Sequence, residues 1–180
     1  PRMMAVDSPT EEMVAIPRII DKLHRNGRPI IVGPWLSEVG FEVLYWIPFL
    51  NWVKTYRPFD PERLVIVSRG GVAPWYRQYG GRYVELFDFF TPDQLRVRNE
   101  QRISDGQLKQ RVMTEFDREI IKLVKVSLER RDAELLHPMY MYRLFYPYWK
   151  SRASINLVES FASFERLPPI DRSDVAAKLP

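Results

Sequence analysis

The sequence predicts an α/β fold, a Rossmann-like parallel sheet flanked by helices with a helical carboxyl-terminal part, on three observations. Ile30-Ile31-Val32 and Leu64-Val65-Ile66-Val67 are short apolar runs, rich in β-branched residues and without polar alternation, as in parallel strands covered on both faces. An apolar run over 41–56, too long for a strand, separates them, so strand, helix and strand follow one another. Tyr83-Val84-Glu85-Leu86-Phe87 reads as a third strand, and 107–131 is the clearest amphipathic stretch in the chain.

Taken in order, Ser8-Pro9-Thr10-Glu11 is a capping box with proline at the first helical position, so a helix is expected from Pro9, broken or kinked at Pro17 and continuing over Arg18–Asn26 until Gly27. Pro29–Gly33 is the first strand. Gly33-Pro34 stops it, and a loop to Gly40 leads into the 41–56 helix, where Pro48 is expected to introduce a kink. Pro58 and Pro61 mark the turn into a second strand, Arg63–Ser68, and Arg69-Gly70-Gly71 follows at its carboxyl end. Pro74–Tyr79 is a short helix before the third strand, Tyr83–Phe87. The polar 88–106 segment is expected to be a loop or an irregular helix, and its Arg96, Arg98 and Arg102 a solvated face. A helix over 107–131 presents Leu108, Val112, Phe116, Ile120, Leu123 and Leu128 as its core stripe. A further short helix is expected over 153–164, stopped by Pro168-Pro169. One domain, 1–168, and a tail or linker, 169–180, account for the chain.

Length and composition bound the rest. With 180 residues there is room for one full core but not for two ordinary Rossmann-like domains. A net charge of +4 and a pI of about 9.4 suit phosphate-bearing ligands or an anionic membrane surface and demand no nucleic acid. Cysteine is absent, which excludes disulfides, thiolate catalysis and cysteine-based zinc sites. The two histidines, His24 and His137, are far apart and have no ligand-spaced partners, so neither metal nor cofactor is expected. His24 reads as a solvated last-turn residue, and His137, just before a proline, as a polar cap. No apolar run reaches the roughly 18 residues of a membrane span, and the amino terminus lacks a signal-peptide layout; a cytoplasmic location is expected. Aromatic residues make up 13%, with six of them in the ten residues Tyr140–Trp149. That segment suits either a core or homo-oligomer contact or an aromatic wall for sugar rings or a lipid-linked acceptor.

The loop after the first strand holds the candidate chemistry, because open α/β sheets hold ligands outside the carboxyl ends of their strands. Glu38 and Glu42 flank Gly40. Stepping about 100° per residue puts Glu42 on the apolar side of its helix, with Trp46, Phe49 and Val53. Acidic residues near a helix start are favoured by its unpaired N–H groups. A carboxylate on an apolar face must moreover be hydrogen-bonded, or stand at a cleft where its charge is used. The loop Gly33–Glu42 and the turn Arg69-Gly70-Gly71 are expected to lie side by side along one cleft, with Arg69 placed to meet an anionic group.

Gly40-Phe41-Glu42-Val43-Leu44-Tyr45-Trp46-Ile47-Pro48-Phe49-Leu50 resembles the glycine, acidic residue, apolar helix and proline after the first strand of GT-B-fold glycosyltransferases of the bacterial heptosyltransferase type. Two features differ: Phe41 stands between glycine and acid, and the acid is Glu where the family usually has Asp. The resemblance implies the amino-terminal, acceptor-side half of a two-domain transferase. Glu42 matches the family's candidate general base, and Glu38 is the alternative. Gly33, Trp35, Gly40, Arg69, Gly70 and Gly71 are then the residues expected to line the substrate site. The implied partners are a sugar nucleotide, held mainly by an absent carboxyl-terminal domain, and a carbohydrate or lipid-linked acceptor; this chain alone is expected to transfer nothing. The alternative is a non-catalytic α/β binding or interaction domain. No GxGxxG fingerprint, GxxxxGKS/T phosphate loop or GxSxG elbow is present.

Overall fold

The computed structural model describes residues 10–129 and 131–169. Strands β1 (Ile30–Val32), β2 (Leu64–Ser68), β3 (Arg82–Glu85) and β4 (Glu134–Leu136) form one parallel sheet in the order β3-β2-β1-β4. Ile31 pairs with Val65 on one side and Leu135 on the other, and Val67 pairs with Val84. Parallel neighbours need crossover connections. Helix α2 (39–56) joins β1 to β2, the short α3 (Ala73–Tyr76) lies between β2 and β3, and α4 (Pro92–Ser104) and α5 (Glu115–Ser127) lead to β4. Helix α1 (Glu11–Arg25) precedes the sheet, and α6 (Met139–Trp149) and α7 (Asn156–Phe161) come after it.

Successive strand residues point to opposite faces, and the core divides accordingly. Ile30, Val32, Leu64 and Ile66 pack with Ile16, Trp46, Phe49 and Tyr142 on one face. Ile31, Val65 and Val67 pack with Leu95, Phe116, Ile120 and Val124 on the other. Each such side chain contributes about 1.5–3 kcal/mol when fully buried. An exposed ion pair such as Arg96–Glu100 is screened by water and contributes little, so the two apolar layers decide the fold.

Several expectations are corrected. The α1 cap is Thr10, whose hydroxyl accepts the Met13 N–H, while Ser8 and Pro9 lie outside the described residues. The helix runs through Pro17 unbroken, because Ile16, Ile20 and Leu23 anchor both sides of it in the core. Residues 92–104 are a regular helix started by Thr91, Pro92 and Gln94 in a capping box. The 107–131 helix is reduced to Glu115–Ser127, because Thr114 and Asp117 form a capping box that closes its amino end. Leu108 and Val112 are consequently exposed. Strand β3 ends at Glu85 because a 3-10 turn, Leu86–Asp88, succeeds it, and β4 is a fourth strand that the short Glu134-Leu135-Leu136 run does not announce. The 153–164 helix shortens to Asn156–Phe161. Of the expected tail, 170–180 lies outside the described residues. No helix among the described residues is long and apolar enough to cross a membrane.

Candidate functional site

At the end of β1, the Gly33 N–H donates to Leu136 O (3.0 Å). Gly33 has φ 119°, and a Cβ there would sit 2.5 Å from Val67 O, so only glycine lets β1 and β2 end this close together. A cis peptide bond joins Gly33 to Pro34. The loop from Pro34 to Ser37 is buried, and buried backbone polar groups need partners. Side chains from three other segments supply them. Arg69 donates to Trp35 O (2.7 Å) and Ser37 O (2.9 Å). Arg102, expected to be solvated but only 4% exposed, donates to Leu36 O (3.0 Å). Gln110 donates to Pro34 O (2.9 Å) and accepts from Leu36 N (2.9 Å).

Helix α2 opens at Val39–Phe41 and widens into a π-helical turn over Glu42–Trp46, closed by the Ile47 N–H on Glu42 O. Pro48 comes directly after; it lacks an N–H and its ring crowds the preceding turn, and a wider turn accommodates both effects. Glu42, Trp46, Phe49 and Val53 share the buried side, as helical spacing predicts. Glu42 is 1% exposed. Its Oε1 accepts from Ser68 Oγ (2.6 Å) and the Tyr76 hydroxyl (2.5 Å). Burial raises the Glu42 pKa from its ordinary value, against the pull of those two hydrogen bonds and of Arg69. Burial, with Glu42 alongside, raises Tyr76 well above the usual phenol value.

The other expected site residues take different roles. Glu38 is exposed, with its carboxylate 2.5 Å from Lys109 Nζ. Gly40 is exposed with open space where a side chain would be. Trp35 is fully buried, stacked between Trp46 and Tyr142 with both centroid distances 5.9 Å, and is therefore core. The N–H groups of Gly70 and Gly71 donate to the Glu85 carboxylate (3.1 and 2.9 Å), so that turn already holds an anion from its own chain. The loop and the 69–71 turn do lie side by side, but the Arg69 guanidinium closes the contact between them. What opens beside it is a cavity of about 180 Å³ against Leu36, Leu95 and Phe116.

Strand order reverses between β1 and β4, and open α/β sheets take ligands outside the carboxyl ends at such a switch point. Two hollows of about 540 and 350 Å³ lie between the 106–112 segment and α6, the helix after β4, sharing Gly106, Lys109, Arg111 and Tyr146. Phe41, from the start of α2, and Trp149, from α6, complete the wall of the smaller one. Helix α6 divides the aromatic segment: Met141, Tyr142, Leu144 and Phe145 are buried, while Tyr146 and Trp149 are half-buried along the groove. Lys109 Nζ stands 3.4 Å from the Phe41 ring centroid. Arg111 and Lys150 stand 4.7 and 5.7 Å from that of Tyr146.

Behind the groove, Asp117 and His137 are both fully buried. Asp117 accepts from Gln110 Nε2 (2.9 Å), Thr114 N (2.7 Å) and Thr114 Oγ1 (2.6 Å). His137 Nδ1 accepts the Met139 N–H (3.0 Å), which leaves the ring proton on Nε2. Nε2 lies 3.1 Å from Asp117 Oδ1 but outside good hydrogen-bond alignment, so the contact is chiefly that of a dipole with a charge. His137 thus acts as a polar cap of α6. Lys109, Gln110, Arg111 and Asp117 escape notice in the sequence because a single 107–131 helix absorbs all four. The pair Thr114 and Asp117, a capping box three residues apart, is the signal that separates them.

Among the described residues no group of three His, Asp or Glu is arranged to hold a metal ion. Comparison with known proteins finds no matching family model, no matching curated protein and no matching solved structure.

Proposed function

We propose that this chain is the acceptor-holding unit of a sugar-nucleotide-dependent glycosyltransferase, with the acceptor in the groove over the carboxyl ends of β1 and β4 and Glu38 at its rim as general base. The observation that carries the reading is the groove's aromatic wall, Phe41 from the helix after β1 and Tyr146 and Trp149 from the helix after β4. Half-buried aromatic faces suit the apolar faces of sugar rings. Glu38 is exposed beside Lys109, whereas Glu42 is enclosed and already occupied by Ser68 and Tyr76. The reading therefore gives Glu42 the positioning role: it ties the first turn of α2 to the end of β2.

In the reaction, Glu38 takes the proton of an acceptor hydroxyl as its oxygen bonds to the anomeric carbon of the donor sugar. The bond from that carbon to the diphosphate breaks, and the nucleoside diphosphate leaves with the electron pair. The donor is held by the second domain that the resemblance implies. The test is sugar transfer by the two-domain protein: Glu38→Gln should lower kcat about 10²–10⁴-fold with little change in acceptor KM. Full turnover in Glu38→Gln would remove the base assignment. The enclosure of Glu42 favours a second reading, a binding domain without catalysis, which predicts saturable sugar binding and no transfer by any longer form.

A further inference from the structure

We propose that the ligand of this groove is a phosphate-bearing sugar, with the phosphate held by Lys109, Arg111, Arg143 and Lys150 and the ring stacked on Tyr146 and Trp149. The inference deepens the acceptor reading and rests on it only for the transfer step after binding.

Charge carries the argument. The four cations line the two joined hollows, and Glu12 is the one acid on their walls, so positive charge is in excess there. Lys109 is paired with Glu38, and among the described residues no carboxylate lies within ion-pairing distance of Arg111, Arg143 or Lys150. Cations without an acid partner, such as Arg77, Arg82 and Lys122, occur elsewhere on the described surface as well, but here three of them stand on the walls of two joined hollows. Arg143 Nε donates to Arg111 O (3.2 Å), which fixes the two arginines to one another at the wall. A planar guanidinium forks onto phosphate oxygens, and a dianion balances clustered cations better than a neutral glycan does.

Shape and aromatic lining select the rest of the molecule. Each hollow falls within the size range of small-ligand sites, which favours a sugar phosphate over a polymer. Tyr146 sits between the cations, where it offers a stacking face next to the phosphate position. Trp149 adds a second aromatic ring to the wall of the smaller hollow.

The test is titration calorimetry of the chain with α-D-glucose 1-phosphate, methyl α-D-glucopyranoside and inorganic phosphate. Glucose 1-phosphate should bind at one site per chain, more tightly than either half-molecule and more weakly as salt is raised. The exposed double variant Arg111→Ala/Lys150→Ala should weaken it about tenfold or more, while Arg96→Ala on α4 leaves it unchanged. The same sugar phosphate on a polyprenyl chain in phosphatidylcholine vesicles, read by flotation, distinguishes a lipid-anchored ligand from a free one. No saturable binding, equal binding of the uncharged glucoside, or indifference to the double variant would overturn the proposal. Sugar transfer by the two-domain protein that ignores Arg111→Ala/Lys150→Ala would overturn it and leave the transferase reading standing. Glucose 1-phosphate binding without any transfer would do the reverse.

Discussion

Replacing Asp117 by alanine should be among the most destabilising single changes outside the apolar core. Asp117 is fully buried and faces four donors: Gln110 Nε2, the Thr114 N–H, the Thr114 hydroxyl and His137 Nε2. The hydroxyl can turn away, and Gln110 keeps its bond to Pro34 O. The Thr114 N–H is left without an acceptor, at about 1–3 kcal/mol, and the buried His137 ring loses the charge its dipole faces, so the expected loss is roughly 2–4 kcal/mol. For a chain of this length each kcal/mol lowers Tm by about 2–4 °C, giving a drop on the order of 5–15 °C. The loss should depend on pH in a defined direction. Burial pushes the Asp117 carboxyl up, the His137 and Thr114 contacts push it down, and the net is a lowered pKa. A carboxyl with a lowered folded pKa stabilises the fold above its unfolded pKa of about 4, and the contribution disappears as pH falls through the folded value. Urea unfolding of wild type and Asp117→Ala at a series of pH values should therefore show a gap that is constant near neutrality and shrinks below about pH 4. Hydrogen exchange at the Leu36 N–H, held by Gln110, should quicken in the variant. A loss under about 1 kcal/mol, or a gap that persists at low pH, would refute the reasoning.

Glu42→Gln should show the opposite pH trend. Burial raises the Glu42 pKa, so its ionised form costs stability as pH rises above the ordinary carboxyl range, whereas the amide carries no such penalty. The variant should gain on wild type in denaturant unfolding as pH rises above the ordinary carboxyl range; parallel curves would contradict this. Gly33→Ala should cost about 3 kcal/mol or more, because a Cβ there meets the Val67 carbonyl at 2.5 Å and φ 119° strains any side chain. A calorimetric Tm within a few degrees of wild type would show that the two strand ends can separate.

The first two strands and the long helix between them are legible in the sequence because each is continuous, strongly apolar and bounded by glycine or proline. Spacing alone places Glu42 on its buried side, although the π-helical turn that fits Pro48 into the helix leaves no trace in composition. Strand β4 is not legible: three residues are too few for a pattern, and its identity comes from pairing with β1. Without it the expected cleft falls on the β2 side of β1, toward Arg69-Gly70-Gly71, where Arg69 and Glu85 fill the space themselves. Asn51 reads onto the solvent side of its helix, yet it is 2% exposed, because the Tyr79 hydroxyl and Ser163 O bond it from outside the helix. Partners distant in sequence decide such cases, and periodicity carries no information about them.

Residues 109–111 divide their labour one by one. Gln110 turns inward and is fully buried, holding the Pro34–Leu36 backbone, while Lys109 and Arg111 on either side turn outward to the groove. Because neighbours on such a segment face opposite ways, the groove's outer wall can be recoloured without touching the brace behind it. Charge-reversed or aromatic substitutions at Lys109 and Arg111 should alter what is bound while the loop beneath keeps its shape. On the proposed reading of the groove, this is a stretch on which ligand preference can drift, under selection or by design, independently of folding, bounded on its inner side by a glutamine that is fixed by the loop it holds.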